Sequence, residues 1–586
     1  ILGSLFGPFL PAWAGVGLAQ MARRPFFYNH LLILVMLITG IGWFSATYGA
    51  TLNRSIQDRV SYETTADFTI ERTGSFPVRD LDALEALFVK TEGVESVTTV
   101  LDTQVKLGVS NSDVSLLAID PRNAGNVLYF RDDFSSSTIT DLMVSLGGAS
   151  TSINNPRIIP ANANKLGFWV RPHEPLKNIF LYVVIRDAVG TYTRITFGEM
   201  DFDEWRYIQG DLRGRSGVQR FIPPATIEAV EIFEPTYRRG TAGRIYLDGL
   251  SVHFEDSEDT TLLEGFESAV GWNPIAVSPI RVDTIRPENT EYKEGRQSIN
   301  FEFGRDAIAG IRGFYLNSID GPIPILANPA FLQRTGMSIG DHTILEVGGV
   351  LVHVIARDIV NYFSPLNSEQ PFVVAPLDPL LDYVNMVKGG APLRPNKILL
   401  DLPEDPSVRM AVIGLMEEQG FFQQSKIVDR QQVVAGLDLD PLLVTGWRAL
   451  VLGALAVMLL LIIVGYFAYS FLIAIDRKVE VGIIRALGLS HRDVIRLIIL
   501  EHSLVLLIGI SVGTWAGLQI SNFMIPLLSF TDFGRVIVPP FIIEISWPFV
   551  GSLAIGIITS VVMTMVAHGI IFTRISVIEV LRMGDN

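Results

Sequence analysis

The sequence predicts a membrane protein in which an α-helical transmembrane bundle of four full spans carries a large extracellular α+β domain with an inserted β-sandwich. Four mostly apolar runs, residues 26–53, 449–475, 503–531 and 545–573, contain no Asp, Glu, Lys or Arg and approach or exceed the roughly 20 residues that cross a hydrocarbon core. A long polar region, residues 54–445, separates the first run from the others. The middle of that region alternates polar and apolar residues in short stretches. A mean hydropathy of +0.36 supports the membrane assignment.

The N-terminal segment, residues 1–25, has the pattern of the end of a preceding span followed by an interfacial amphipathic helix. Trp13 and the adjacent Arg23 and Arg24 suit a position at the membrane surface. Because the chain begins with Ile1 rather than Met, we expect a further membrane half upstream, or its removal. A natural start with a re-entrant apolar leader is the alternative.

Basic residues orient the predicted spans. Lys and Arg precede the first span, cluster between the second and third, and recur in the cytoplasmic tail, residues 574–586, whereas the loop between the third and fourth holds only Arg535. Because basic residues favour the cytoplasmic side, we expect residues 55–447 to lie on the opposite side of the membrane, outside the cytoplasm. The predicted spans are residues 26–53, 446–475, 503–531 and 545–573.

The extracellular region divides by pattern into three parts. In residues 54–151, alternating stretches such as ADFTIER flank the helically spaced LDALEALFVKTEG, which predicts an α+β module. Residues 152–306 contain short alternating strands separated by Gly, Pro, Asn and Asp, which is typical of a β-sandwich. Residues 307–445 return to mixed structure. We therefore predict one α+β domain split by an inserted sandwich.

Charge and composition exclude several function classes. The chain has a net charge of −15, and the segments beside the spans carry +4, which leaves about −19 on the exterior region. Such an acidic region argues against nucleic acid as a partner, because phosphate binding needs a basic face. The absence of Cys excludes disulfides and thiolate metal sites. The sequence has no GxxxxGK[ST] or HExxH motif, so we expect no enzyme activity, metal site or cofactor in this chain.

The most informative segment is the connector, residues 476–502, which reads DRKVEVGIIRALGLSHRDVIRLIILEH between two apolar runs. It is too polar to cross a bilayer and too short to form a domain. Residues 479–487 suit a short helix that Gly488 can end in a left-handed conformation. Ser490 and Asp493 have the spacing of a capping box for the next helix. Two helices with a firm corner would act as a lever at the cytoplasmic face.

The connector resembles the signature of the FtsX-like, MacB-type permeases of ABC transporters. The resemblance extends over the four spans, the TLNRSIQDRVSYETTADF stretch after the first span and the closing SVIEVLRMG. It implies that the connector docks onto an ATPase subunit and receives its motion; the alternative is a solvated helix on the inner leaflet. The implied ATPase-coupling residues are Arg477, Lys478, Glu480, Gly482, Arg485, Ala486 and Gly488.

The same resemblance implies the partners. They are a dimer of ABC ATPase subunits, which would hold ATP and Mg, a second permease half or copy, membrane lipid, and a lipoprotein or other extracellular partner. The family moves lipoprotein, lipid or peptide cargo, or activates envelope enzymes. A scaffold that regulates an extracellular enzyme without transport, and a glycan-sensing receptor, are the alternatives.

Two further sets of residues are candidate sites. Gly509, Gly513 and Gly517 recur every four residues in the third span, which favours close helix packing, although Gly is in any case common in membrane helices. The sandwich resembles galactose-binding-like jelly rolls in stretches such as FWVRP and IYLDGLSVHF, with the opening strands displaced to the end, which suggests a permuted or a second, partial sandwich. Its candidate ligand-binding residues are Trp169, Trp205 and Tyr207, which could equally be core aromatics.

Overall fold

The computed structural model divides into two compact units. The membrane unit comprises residues 1–60 and 433–586, and the β-rich unit comprises residues 61–432. The structure describes residues 11–23, 25–72, 76, 81–108, 110–147, 157–214, 218–235, 241–255, 260–278, 281–305, 311–319, 321–389, 391–438, 446–476, 483–484, 488–527 and 537–573.

The helices are numbered along the chain. They are α1 Ala12–Arg23, α2 Pro25–Thr64, α3 Leu81–Val89, α4 Ala124–Val127, α5 Ile139–Gly147, α6 Pro329–Thr335, α7 Leu377–Lys388, α8 Pro406–Glu418, α9 Arg430–Asp438, α10 Gly446–Asp476, α11 His491–Leu527 and α12 Trp547–Thr573.

The strands follow the same numbering. They are β1 Phe68–Arg72, β2 Ser96–Leu107, β3 Ser112–Ile119, β4 Ile158–Ile159, β5 Ala163–Pro172, β6 Leu176–Arg186, β7 Tyr192–Met200, β8 Arg206–Asp211, β9 Ala225–Phe233, β10 Gly243–Phe254, β11 Thr260–Glu264, β12 Trp272–Pro274, β13 Ala276–Ser278, β14 Arg281–Val282, β15 Thr284–Glu288, β16 Ser298–Phe303, β17 Ile311–Leu316, β18 Ile323–Ala327, β19 His342–Val347, β20 Val350–Ile359, β21 Phe372–Pro376, β22 Lys397–Asp401 and β23 Ser425–Asp429.

The membrane unit is built from long apolar helices. Among the described residues, three segments are long and apolar enough to cross a membrane, and they lie in α2, α10 and α11. A shorter apolar segment, Trp547–Met563, lies in α12, where the fourth span is predicted. Side chains from all four helices share one apolar core that includes Leu31, Ile462, Leu506 and Ile557. The protein is therefore membrane-embedded, and the fourth full span stays a prediction.

The β-rich unit is organised around a mixed nine-stranded sheet. Its order is β19-β20-β18-β21-β3-β2-β22-β1-β23, and β19 also pairs with β2, which closes six of the strands into a ring. One apolar cluster joins the sheet to α7, a second packs α4 and α5 against it, and a third packs α3 and α8 against β1, β2 and β22. The nine-stranded sheet thus combines strands that precede residue 158 with strands that follow residue 316.

Residues 158–316 form two six-stranded sheets that enclose one apolar core. The first has the order β15-β16-β10-β5-β8 with β11 beside β10, and the second has the order β12-β17-β9-β6-β7 with β4 beside β9. Phe168, Phe266, Phe301 and Phe314 are buried together in this core. The stretches that resemble the opening strands of a jelly roll lie at the end of this region, in β11 to β16. Most of these strands belong to the same two sheets, so they do not form a second, partial sandwich.

One predicted boundary is wrong. We placed the end of the sandwich at residue 306, but β17 lies beyond it and pairs with β9 over Ile311–Tyr315. The pairing partner is far away in sequence, and β17 and the following β18 are both short apolar strands, so local pattern did not separate the two modules. The sandwich sheets extend to Leu316.

The sandwich is fixed to the nine-stranded sheet through helix α7. The guanidinium of Arg194 on β7 bonds Glu231 at 2.7 Å and donates to the carbonyl oxygens of Met386 and Val387 at 3.2 and 3.4 Å. A cation at the end of a helix stabilises its unpaired carbonyls. The hydroxyl of Tyr383 on α7 accepts from the amide of Ala276 at 3.0 Å. These bonds hold the sandwich against the sheet inside the β-rich unit.

Candidate functional site

Two predicted features of the connector lie within the described residues, the left-handed turn at Gly488 and the cap at Ser490. Gly488 has a φ of +103°, a region that residues with a Cβ rarely adopt. The Ser490 hydroxyl donates to the Asp493 carboxylate at 2.6 Å and accepts from the Asp493 amide at 3.3 Å, so the cap at the start of α11 is closed. Six candidate coupling residues, Arg477, Lys478, Glu480, Gly482, Arg485 and Ala486, lie outside the described residues.

The connector packs on both α1 and α11. Val494, Leu497 and Ile498 of α11 form a buried cluster, and Ile484, Leu489, Trp13 and Val16 pack against it. A Cβ added at Gly17 of α1 would lie 3.3 Å from Cγ of Leu497, so the helices touch closely there. A displacement of the connector would therefore also displace α1 and the first turns of α11.

A buried polar cluster lies near the start of α11. Glu501 and His502 are 1% and 4% exposed, and Nδ1 of His502 lies 2.9 Å from the hydroxyl of Tyr466 on α10. The sequence analysis assigned no role to these two residues. The sequence signal that could have pointed to them is a Glu-His pair next to a long apolar stretch. Buried ionisable groups in membrane helices are commonly functional. The contact between Tyr466 and His502 ties α10 to α11 at the C-terminal end of the connector.

The three glycines of α11 face α2. A Cβ at Gly513 would lie 2.6 Å from the carbonyl oxygen of Met36, and a Cβ at Gly517 would lie 2.7 Å from that of Gly40. A Cβ at Gly509 would lie 3.0 Å from a methyl carbon of Val35. The absence of side chains lets the two backbones approach to contact, which is the packing that small residues permit in lipid.

The chain enters and leaves the β-rich unit on neighbouring strands. Strand β1 follows α2 and β23 precedes α9, and the two strands pair antiparallel with Phe68 opposite Asp429. Asp67 forms an ion pair with Arg430, and its carbonyl oxygen accepts from the Arg430 amide at 2.9 Å. A force that separates the two chain connections would act on directly opposed residues of β1 and β23. The Asp67–Arg430 ion pair links the chain at the start of β1 to the chain after β23.

Tyr62, in the last turns of α2, is held by a loop of the β-rich unit. Its hydroxyl donates to the carbonyl of Leu366 at 2.6 Å and accepts from the amide of Phe363 at 3.2 Å. The hydroxyl of Ser364 also donates to the Tyr62 carbonyl. Tyr62 is only 4% exposed, so the end of α2 is anchored inside the β-rich unit.

The candidate aromatic residues of the sandwich are only partly brought together. Trp169 and Tyr207 pack edge to face with ring centroids 5.2 Å apart, because β5 pairs with β8 in that register. The ammonium group of Lys293 lies 4.7 Å from the Trp169 ring, and the Tyr207 hydroxyl lies 2.6 Å from Nε2 of His253. Trp205 lies outside β8. Lys293 therefore occupies a face of Trp169 on which a sugar could stack, and sugar binding stays a prediction.

Three of the membrane helices lie in a segment that matches a known protein family. Residues 452–577 match the family described as FtsX-like permease C-terminal. Residues 452–577 are an FtsX-like permease C-terminal domain. The matched segment includes most of α10, all of the connector, and α11 and α12, so the resemblance carried by the connector sequence is confirmed for this part of the permease. No curated protein matches the chain.

Proposed function

We propose that this permease is the transmembrane subunit of an ABC transporter complex of the FtsX and MacB type. It transmits ATPase-driven motion to the β-rich unit and thereby moves or extracts lipoprotein, lipid or peptide cargo. The observation that carries the proposal is the FtsX-like domain at residues 452–577, which contains the whole connector. The family match supports the assignment as a permease subunit, whereas the cargo and the mechanism are our proposal.

The first step of the mechanism is movement of the connector. An ATPase dimer, which supplies ATP and Mg, binds the polar residues of the connector and tilts it on nucleotide binding. Three features support this lever: the Gly488 corner, the Ser490 cap, and the apolar cluster with α1. A flexible loop would absorb the motion, whereas a capped and packed corner passes it to the helices on either side.

The second step is transfer to the β-rich unit. Helix α2 contacts the glycines of α11, and its last residues, 61–64, belong to the β-rich unit. Tyr62 anchors that end, and β1 and β23 receive the two chain connections side by side. Movement of α2 relative to α10 would thus act on a closed pair of strands at one edge of the nine-stranded sheet.

Mechanical transmission fits the membrane unit better than a hydrophilic channel. The apolar cluster of the described bundle consists of aliphatic side chains, methionines and the tyrosines Tyr28, Tyr466 and Tyr469, and the described buried ionisable groups beside it are Glu501 and His502. A path for a polar solute would need charged or amide groups along its length. We place the β-rich unit outside a bacterial inner membrane, with a second permease half or copy completing the bundle.

Charge reversal in the connector tests the proposal. Purified complexes carrying Glu480→Arg and Arg485→Glu should keep nucleotide binding but lose the coupling between ATPase rate and cargo release, because the docking contacts are reversed. The control Arg334→Glu, on α6 of the β-rich unit, should leave coupling unchanged. Unaltered coupling in both connector variants would contradict the proposal. Reconstitution with candidate cargo separates a transporter from a scaffold that only regulates an envelope enzyme.

A further inference from the structure

Two histidines face each other on the hairpin formed by β19 and β20. In the antiparallel register, His342 lies opposite Ile355 and His353 lies opposite Ile344, so the two histidines are diagonal neighbours on one face of the hairpin. Their ring centroids are 5.3 Å apart, and the ring planes are inclined by 32°. This arrangement brings imidazole nitrogens from two adjacent strands into reach of one ion.

The hairpin holds the two imidazoles in place. Ile344 and Ile355 lie opposite the histidines on the same face and are 4% and 7% exposed, so buried aliphatic side chains flank the two imidazoles. His353 is half-buried. His342 is exposed and provides access from solvent.

We propose that His342 and His353 form a chelating site for a borderline divalent cation such as Zn²⁺ or Cu²⁺. Imidazole nitrogen is a preferred ligand for both metals. No group of three or more His, Cys, Asp or Glu side chains among the described residues could hold a metal. The site therefore offers two protein ligands and leaves the remaining positions to water or to a ligand from another molecule, which makes it exchangeable rather than structural.

The location gives the site a consequence. Strand β19 closes the six-stranded ring, since it pairs with both β20 and β2. A metal bound across β19 and β20 would bind the folded hairpin but not the unfolded chain, so it would raise the melting temperature of the β-rich unit by mass action. This function is independent of ATPase coupling.

Metal titration of the full chain tests the proposal. The protein, purified in detergent without a polyhistidine tag and stripped of metal, is titrated with Zn²⁺ by calorimetry and with Cu²⁺ by electron paramagnetic resonance. We expect one saturable equivalent of Zn²⁺ and a Cu²⁺ spectrum with coupling to two imidazole nitrogens. Either His342→Ala or His353→Ala should weaken binding at least tenfold, whereas the exposed control His173→Ala should not.

Two outcomes would overturn the proposal: no saturable binding by the wild type, or equal binding by the wild type and both hairpin variants. Because His342 is exposed, its replacement should not disturb folding, and an unchanged melting temperature without metal checks this. The metal-dependent rise in melting temperature should also disappear in the His342→Ala variant, and its persistence would place the bound metal elsewhere.

Discussion

Replacement of Gly517 by Ala should separate helices α2 and α11. In the structure, the added Cβ would lie 2.7 Å from both the Gly40 carbonyl oxygen and Cβ of Trp43, whereas ordinary contacts begin at 3.4 Å. The helices must therefore move apart by several tenths of an ångström. Backbone atoms cannot turn aside as a flexible side chain can, so this shift involves the whole contact.

The magnitude follows from two opposed effects. Forcing extra volume into a packed site typically costs about 1–3 kcal/mol. Ala exceeds Gly in helix propensity by about 1 kcal/mol, which offsets part of that cost. Gly517→Ala should therefore destabilise the membrane unit by about 1–2 kcal/mol. At Gly551 on α12, a Cβ would have no atom within 4 Å, so Gly551→Ala keeps only the propensity gain and is the matched control.

Two assays measure the effect. Thermal melting in detergent, followed by tryptophan fluorescence, should show a lower midpoint for Gly517→Ala and an equal or higher one for Gly551→Ala. Because the chain has no Cys, disulfide cross-linking can be introduced without background. A Cβ at Gly509 would lie 3.1 Å from that of Val35, so Val35→Cys with Gly509→Cys should cross-link, and more slowly when Gly517→Ala is added. Equal melting and cross-linking in all backgrounds would refute the close contact.

Three further predictions concern the β-rich unit and use chemical denaturation. Arg194→Met leaves the buried Glu231 carboxylate unpaired and should lower the free energy of unfolding by about 3–5 kcal/mol, whereas replacing both residues with Met should restore most of that stability. Equal losses of stability in the single and the double variant would contradict the ion pair. Desolvation and the neighbouring Asp67 raise the pKa of Asp401 to about 6. The native state then holds this proton more tightly than the unfolded chain, so the unfolding free energy should fall as the pH rises from about 4 to about 6. The Asp401→Asn variant should show a weaker pH dependence of the unfolding free energy. An unchanged dependence in that variant would exclude the Asp401 carboxyl as its source. Tyr62→Phe removes its hydroxyl hydrogen bonds and should cost about 1–3 kcal/mol, and an unaltered stability would argue against the anchor.

Local rules predicted the features that depend on neighbours in sequence. Apolar runs located α10 and α12 closely, and the left-handed Gly488 and the Ser490 cap follow from residue type and spacing. The first span was also located, although its helix continues to Thr64 because nothing in the polar residues after 53 breaks a helix.

Features that depend on distant pairing were not predictable from one sequence. The end of the sandwich was missed because β17 is identified by its pairing with β9, not by its own pattern. The meeting of Trp169 with Tyr207 requires the register of β5 on β8. The Asp67–Arg430 pair joins residues from opposite ends of the β-rich unit, and only the order of strands in the sheet brings them together.

The most direct test of the account is site-specific photo-cross-linking from the connector in the native complex. A photoreactive amino acid is placed at position 478 or at position 489, membranes are irradiated with and without ATP, and the adducts are identified by mass spectrometry. The account predicts an ABC ATPase cross-linked from position 478, with a yield that changes on ATP addition. Adducts only to lipid or to proteins outside the cytoplasm, with no ATPase among them, would contradict it.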